Sequence, residues 1–102
     1  MKLTLERDGE VIGEVVFALD GPNVVFHIEA STFSPFSVSK IIKDHAFGRL
    51  GGHRLTTTVR ADAPGLLSIV SRFMRLEGIL REACPSGDGY CDVAVFGLLW
   101  EE

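Results

Sequence analysis

Two stretches near the end of the sequence constrain the fold most: Arg75-Leu-Glu-Gly-Ile-Leu-Arg-Glu-Ala83 and Tyr90-Cys-Asp-Val-Ala-Val-Phe-Gly-Leu-Leu-Trp-Glu101. Both suit extended backbone, and Pro85-Ser-Gly-Asp-Gly-Tyr90 between them is dense in turn-forming residues. They read as a closing hairpin. Its charged residues Arg75, Glu77, Arg81 and Glu82 are expected on the strand surface, in cross-strand contacts rather than in chemistry. Cys84 and Cys91 flank the turn and can face each other across it. Two reduced thiols are the expectation and a disulfide the alternative, while a metal site lacks the further ligands it needs.

Upstream, the pattern is that of strands first and then alternating helices and strands. Leu3 and Leu5 alternate with polar residues, Asp8-Gly9 turns the chain, and Val11, Gly13, Val15, Phe17 and Leu19 form an apolar face. After the turn Asp20-Gly-Pro-Asn23, a third strand over residues 24–30 puts Val24, Phe26, Ile28 and Ala30 on one face. Val25, His27 and Glu29 share the other. Helical spacing of Val38, Ile41, Ile42, His45, Ala46 and Leu50 predicts a helix from Ser34 to Leu50, stopped by Gly51-Gly52. Arg54–Arg60 is a β-branched strand. Asp62 is the expected cap of a second helix reaching Met74, with Leu66, Ile69, Val70, Phe73 and Met74 on one face. The order is βββαβαββ, an α+β chain with a single mixed sheet and two helices, and residues 1–102 form one domain.

The formal net charge of −4 argues against a broad nucleic-acid surface, which needs Lys and Arg to neutralise phosphates. No run approaches the roughly 20 apolar residues that span a bilayer. The opening Met1-Lys-Leu-Thr-Leu-Glu lacks the apolar core of a signal peptide, so a cytoplasmic protein is expected, or a virion component if phage-encoded.

The hairpin residues carry a resemblance. Arg75, Glu77, Gly78, Arg81 and Glu82 fit an R-x-E-G-x-x-R-E strand, and Asp92, Gly97, Leu98 and Leu99 fit a D-x-x-x-x-G-L-L strand. In that order they resemble the GCN5-related N-acetyltransferases, which move an acetyl group from acetyl-CoA to an amine. The element order matches that family from its second strand onward, so the chain resembles a short, bacteriophage-type form without the family's first strand and two helices. The resemblance implies that the strands at 24–30 and 54–60 run parallel and splay at one end, with acetyl-CoA in the wedge. Cofactor contacts then fall on Ile28, Glu29 and Ala30, on Ser37, Val38 and Ser39 at the helix start, and on Asp62. A helix N-terminus suits a pyrophosphate because its first amides are unpaired. The family's glycine loop is replaced here by Ser31-Thr-Phe-Ser-Pro-Phe-Ser-Val-Ser-Lys40, and Pro35 lacks an amide. The family's proton-donating Tyr falls on Ile69 or Val70, and its Asn on Asp62 or Ala63. Glu29 is the candidate base, with His27 on the same strand face to assist.

Two functions follow. One is an acetyltransferase acting on an amine of a protein or small molecule. The other is a non-catalytic module of the same fold, binding a protein partner or serving in a virion. A sheet face left bare without the front helices implies a homodimer or docking onto a larger assembly.

Overall fold

A computed structural model describes residues 2–7, 9–28 and 35–102, with side chains placed except at 5, 7, 10–12 and 35–38. Among these residues six strands make one mixed sheet: β1 Lys2–Arg7, β2 Glu10–Asp20, β3 Asn23–Ile28, β4 Arg54–Arg60, β5 Arg75–Ser86 and β6 Gly89–Leu99. Their spatial order is β1-β2-β3-β4-β6-β5. Helix α1, Pro35–Lys43, connects β3 to β4, and α2, Pro64–Ser71, connects β4 to β5. The expected βββαβαββ order is therefore present. Only β3 and β4 pair in parallel; the other neighbours are antiparallel.

One face of the sheet makes the core. Val15, Phe17, Val24, Phe26, Leu55, Val59, Ala94, Phe96 and Leu98 are buried against Ile42, Ala46, Ile69 and Val70 from the helical layer. Each large apolar side chain so buried contributes about 1.5–3 kcal/mol of transfer free energy. The alternation read from β2 and β3 places Val15, Phe17, Val24 and Phe26 inside, but Leu19 is exposed, because it lies at the strand's outer end. Among the described residues no helix covers the other face, which carries Val16, Ala18, Val25, His27, Thr56, Thr58, Val93 and Val95. No helix of the described residues is long and apolar enough to cross a membrane.

Both helices depart from their expected bounds. The first helix does not stay α-helical to Leu50: Asp44–Arg49 forms a π-helical continuation, closed by Leu50 N–H donating to His45 O at 3.0 Å. The wider turn lets three successive residues meet the sheet layer. His45 packs on Phe17 with ring centroids 4.6 Å apart, Ala46 is fully buried, and Phe47 reaches Trp100 at 5.5 Å. The predicted start at Ser34 lies outside the described residues. The second helix runs only from Pro64 to Ser71, and its N-cap position is Ala63 with no side-chain cap. Asp62 is not that cap because its carboxylate is occupied elsewhere, as described below. At the other end Arg72 and Phe73 amides bond three residues back, to Ile69 and Val70, so the helix tightens and stops before Met74.

The hairpin is longer than predicted, since β5 runs to Ser86 and β6 starts at Gly89. A two-residue turn at Gly87-Asp88 suffices because Gly87 sits at φ +57°, the left-handed conformation such tight turns require. Two of the hairpin charges, Glu77 and Arg75, take the structural roles expected of them. Glu77 pairs with Arg54, Arg75 approaches Glu102 at 4.0 Å, and Asp92 accepts from the amide of Glu82 at 3.0 Å.

Candidate functional site

The sheet divides between β3 and β4. Their ladder joins Asn23 to Arg54, Val24 to Leu55 and Val25 to Thr56, and then ends. On either side the pairing continues: β3 stays with β2 as far as Ile28, and β4 stays with β6 through Arg60. Each half thus keeps its own register while the two diverge. At the fork the buried Thr57 hydroxyl donates to Phe26 O at 2.6 Å, which satisfies a carbonyl where the ladder has ended. Phe73, from just beyond α2, stacks on Phe26 with centroids 6.4 Å apart and fills the core below the fork.

A cavity of about 500 Å³ occupies the divergence. Its inner wall is apolar, with Phe26, Val59, Ala63, Leu66 and Val70. Its outer wall belongs to the uncovered face and carries His27, Thr58, Arg60, Leu80 and Val93, with Ala83 and Cys84 at the β5 side. The core-side wall is thus mainly apolar, while His27, Thr58 and Arg60 supply polar groups on the other, which suits a ligand with an apolar arm that meets a polar group arriving from the opposite side.

One end of this cavity is tied down by a polar cluster. Arg60 Nε and Nη2 donate to the two oxygens of Asp62, both at 2.9 Å, and Nη2 also donates to Pro85 O at 2.6 Å. Ser86 Oγ donates to Asp62 at 2.7 Å. The bonds from Arg60 and Ser86 hold the Asp62 carboxyl well below the usual carboxylate range, and the same pair holds the Arg60 guanidinium firmly charged. The cluster thus fastens the hairpin tip to the loop between β4 and α2.

His27 and Ile28, two of the residues singled out from sequence, line the cavity. Glu29 and Ala30 lie outside the described residues. The backbone of Ser37, Val38 and Ser39 is helical, in the first half of α1, and Ser39 is not among the residues that line the cavity. Asp62 is likewise not among the lining residues and already has three donors. Ile69 and Val70, where the resemblance puts a tyrosine, are buried, with Val70 on the inner wall. Sequence reasoning missed Thr57, Thr58, Arg60, Leu80 and Cys84. The Thr56-Thr57-Thr58 run was the available signal, since a buried hydroxyl in a β-branched strand needs a partner.

A second depression of about 410 Å³ lies at the far end of the π segment, between Phe47, Trp100, Lys43, Asp44 and Glu102. Among the described residues no group of three or more His, Cys, Asp or Glu is placed to hold a metal ion.

No family model matches this sequence, and no curated protein matches it either. Solved structures do. The chain superposes with TM-score 0.84 and 19% identity on a spermidine/spermine N-acetyltransferase, SpeG, from Vibrio cholerae, covering 98% of this chain and 66% of that one. A dodecameric structure of spermidine N-acetyltransferase from Vibrio cholerae gives TM-score 0.84 and 19% identity, over 98% of this chain and 64% of that one. An acetyltransferase of the GNAT family from Bacillus anthracis gives 0.78 and 18%, over 97% of this chain and 64% of that one. The chain thus spans just under two thirds of the length of these neighbours. At such identities the likeness is one of fold: this chain has the fold of the GCN5-related N-acetyltransferases.

Proposed function

We propose that this domain moves an acetyl group from acetyl-CoA to an amine of a protein or a small molecule. The observation that carries this reading is the fork between β3 and β4 with a cavity through it, mainly apolar on the helix side and carrying His27, Thr58 and Arg60 among apolar residues on the other. An acyl thioester lying along Phe26–Ile28 would have its arm against Leu66 and Val70, out of water. The amine would approach from the uncovered face, beside His27 and Thr58.

Transfer requires the amine to lose a proton before its nitrogen attacks the thioester carbonyl carbon. Glu29 is the proposed proton acceptor, with His27 orienting a water. The departing thiolate then takes a proton from water, because Ile69 and Val70 have none to give. Ser37, Val38 and Ser39 would meet the pyrophosphate with amides beyond Pro35, so binding should be weaker than in a domain with a glycine loop. Asp62, held by Arg60 and Ser86, would act on the cofactor only indirectly, by fixing the cavity's end.

The test is acetyl transfer to a panel of amines, run beside acetyl-CoA binding. Glu29→Gln should abolish transfer and leave binding within about twofold, because it removes only the proton acceptor. His27→Ala should slow transfer less. Transfer by Glu29→Gln at the parent rate would remove Glu29 from the mechanism.

The second reading is a non-catalytic module that binds a protein partner or serves in a virion, and the uncovered sheet face favours it. A second copy of the chain or a larger assembly would cover that face. Light scattering that finds only monomer at high concentration, with no transfer and no acetyl-CoA binding, would leave neither reading standing.

A further inference from the structure

Cys84 and Cys91 are the only cysteines in the sequence, and the β5–β6 register sets them directly opposite each other. Residues so opposed in an antiparallel pair have Cα atoms about 4.5–5.5 Å apart. That separation lies inside the span of about 4.4–6.8 Å that a disulfide bridges. Both side chains are half-buried and both are free thiols here. Three further features hold this register. The tight turn at Gly87-Asp88 lies between them. Arg60 bonds the carbonyl of Pro85, next to Cys84. Asp92, next to Cys91, anchors the amide of Glu82 in the irregular stretch of β5 before Cys84. The hairpin is thus fastened on both sides of the pair.

We propose that Cys84, in the cavity wall, and Cys91 opposite it form a reversible dithiol–disulfide site, whose co-reactant is a small disulfide such as oxidised glutathione. One thiolate attacks the small disulfide, forms a mixed disulfide and releases one small thiol. The second thiolate then displaces the other small thiol and closes the Cys84–Cys91 bond. The protein loses two electrons and two protons, and the small disulfide is reduced to two thiols. The pre-set register makes the second step intramolecular, so the mixed disulfide should not accumulate. Closure also turns Cys84 toward Cys91 and pins the β5 side of the cavity.

The experiment is intact mass spectrometry of the folded chain incubated with oxidised glutathione at mildly alkaline pH, followed by peptide mapping. The expected product has lost two hydrogen masses, carries no glutathione, maps to a Cys84–Cys91 link and returns to the starting mass with dithiothreitol. Cys84→Ser and Cys91→Ser should each stop at a stable single glutathione adduct, which shows that the remaining thiol is reachable. A stable glutathione adduct on the unaltered chain, a link between two chains or an unchanged mass would each overturn the proposal. The readout is mass alone, so its failure would leave the acetyl-transfer reading untouched.

Discussion

Gly97 and Gly52 are both places where a side chain would collide, yet the structure predicts different outcomes for filling them. Over Gly97 the Arg54 guanidinium reaches across β6 to the Glu77 carboxylate, and an added Cβ would strike both groups. These are the exposed ends of flexible side chains, so they can swing away. Gly97→Ala should cost no more than about 1 kcal/mol, the scale of a surface ion pair. A Cβ added at Gly52 would instead lie 2.6 Å from Val24 Cγ2 and 3.1 Å from the Ala46 carbonyl oxygen. Val24 is fully buried and cannot retreat. Gly52→Ala should therefore cost about 1–3 kcal/mol through overpacking. Urea unfolding of the two variants side by side checks the ranking. Thr57→Val belongs to the same scale: it keeps the shape but leaves the Phe26 carbonyl without its donor at a buried site. A loss of about 1–3 kcal/mol is expected in the same assay.

At the scale of elements, the π segment Asp44–Arg49 makes a pH-dependent contribution to stability. Burial against the sheet layer, and then the nearby Arg49 charge, lower the pKa of His45. The unfolded chain therefore takes up this proton more readily than the folded one. The contribution is fully present above the unfolded value of about 6.5 and is lost as pH falls through the lower folded value. His45→Phe keeps a ring against Phe17 and should flatten the dependence of the urea midpoint between about pH 7 and pH 5. An unchanged slope would assign the dependence to other groups.

The π segment also marks the limit of what the sequence discloses. Apolar spacing over Ile41, Ile42, His45 and Ala46 fits a helix, but the widened turn depends on where Phe17 and Trp100 lie. The end of α2 was obscured for a related reason. Asp62 has the chemistry of a cap, and only the tertiary placement of Arg60 and Ser86 diverts its carboxylate. The order of elements along the chain and the core faces of β2 and β3 were legible, because period-two alternation and glycine turns are local signals, and the parallel β3–β4 pair was legible through the resemblance. His27 and Ile28 were legible as cavity residues through the resemblance. Thr57, Arg60 and Cys84 were not, since they become neighbours only once the sheet divides.

The whole molecule is two half-sheets, β1-β2-β3 and β4-β6-β5, joined by three parallel pairings and clamped on one face by the helical layer. The functional reading depends on that division. It makes the cavity a consequence of the fold rather than of a particular catalytic motif, so the cavity does not depend on the family's glycine loop. If the reading is right, ligand should bridge the halves at Phe26–Ile28 and Thr57–Arg60, and the far depression at Phe47 and Trp100 should not respond. The direct measurement is calorimetric titration with acetyl-CoA, with amide hydrogen exchange recorded with and without ligand. The account predicts saturable one-to-one binding at or below about 1 mM, with protection concentrated at the fork. No heat and no protection at millimolar acetyl-CoA, or protection confined to the Phe47–Trp100 end, would contradict it.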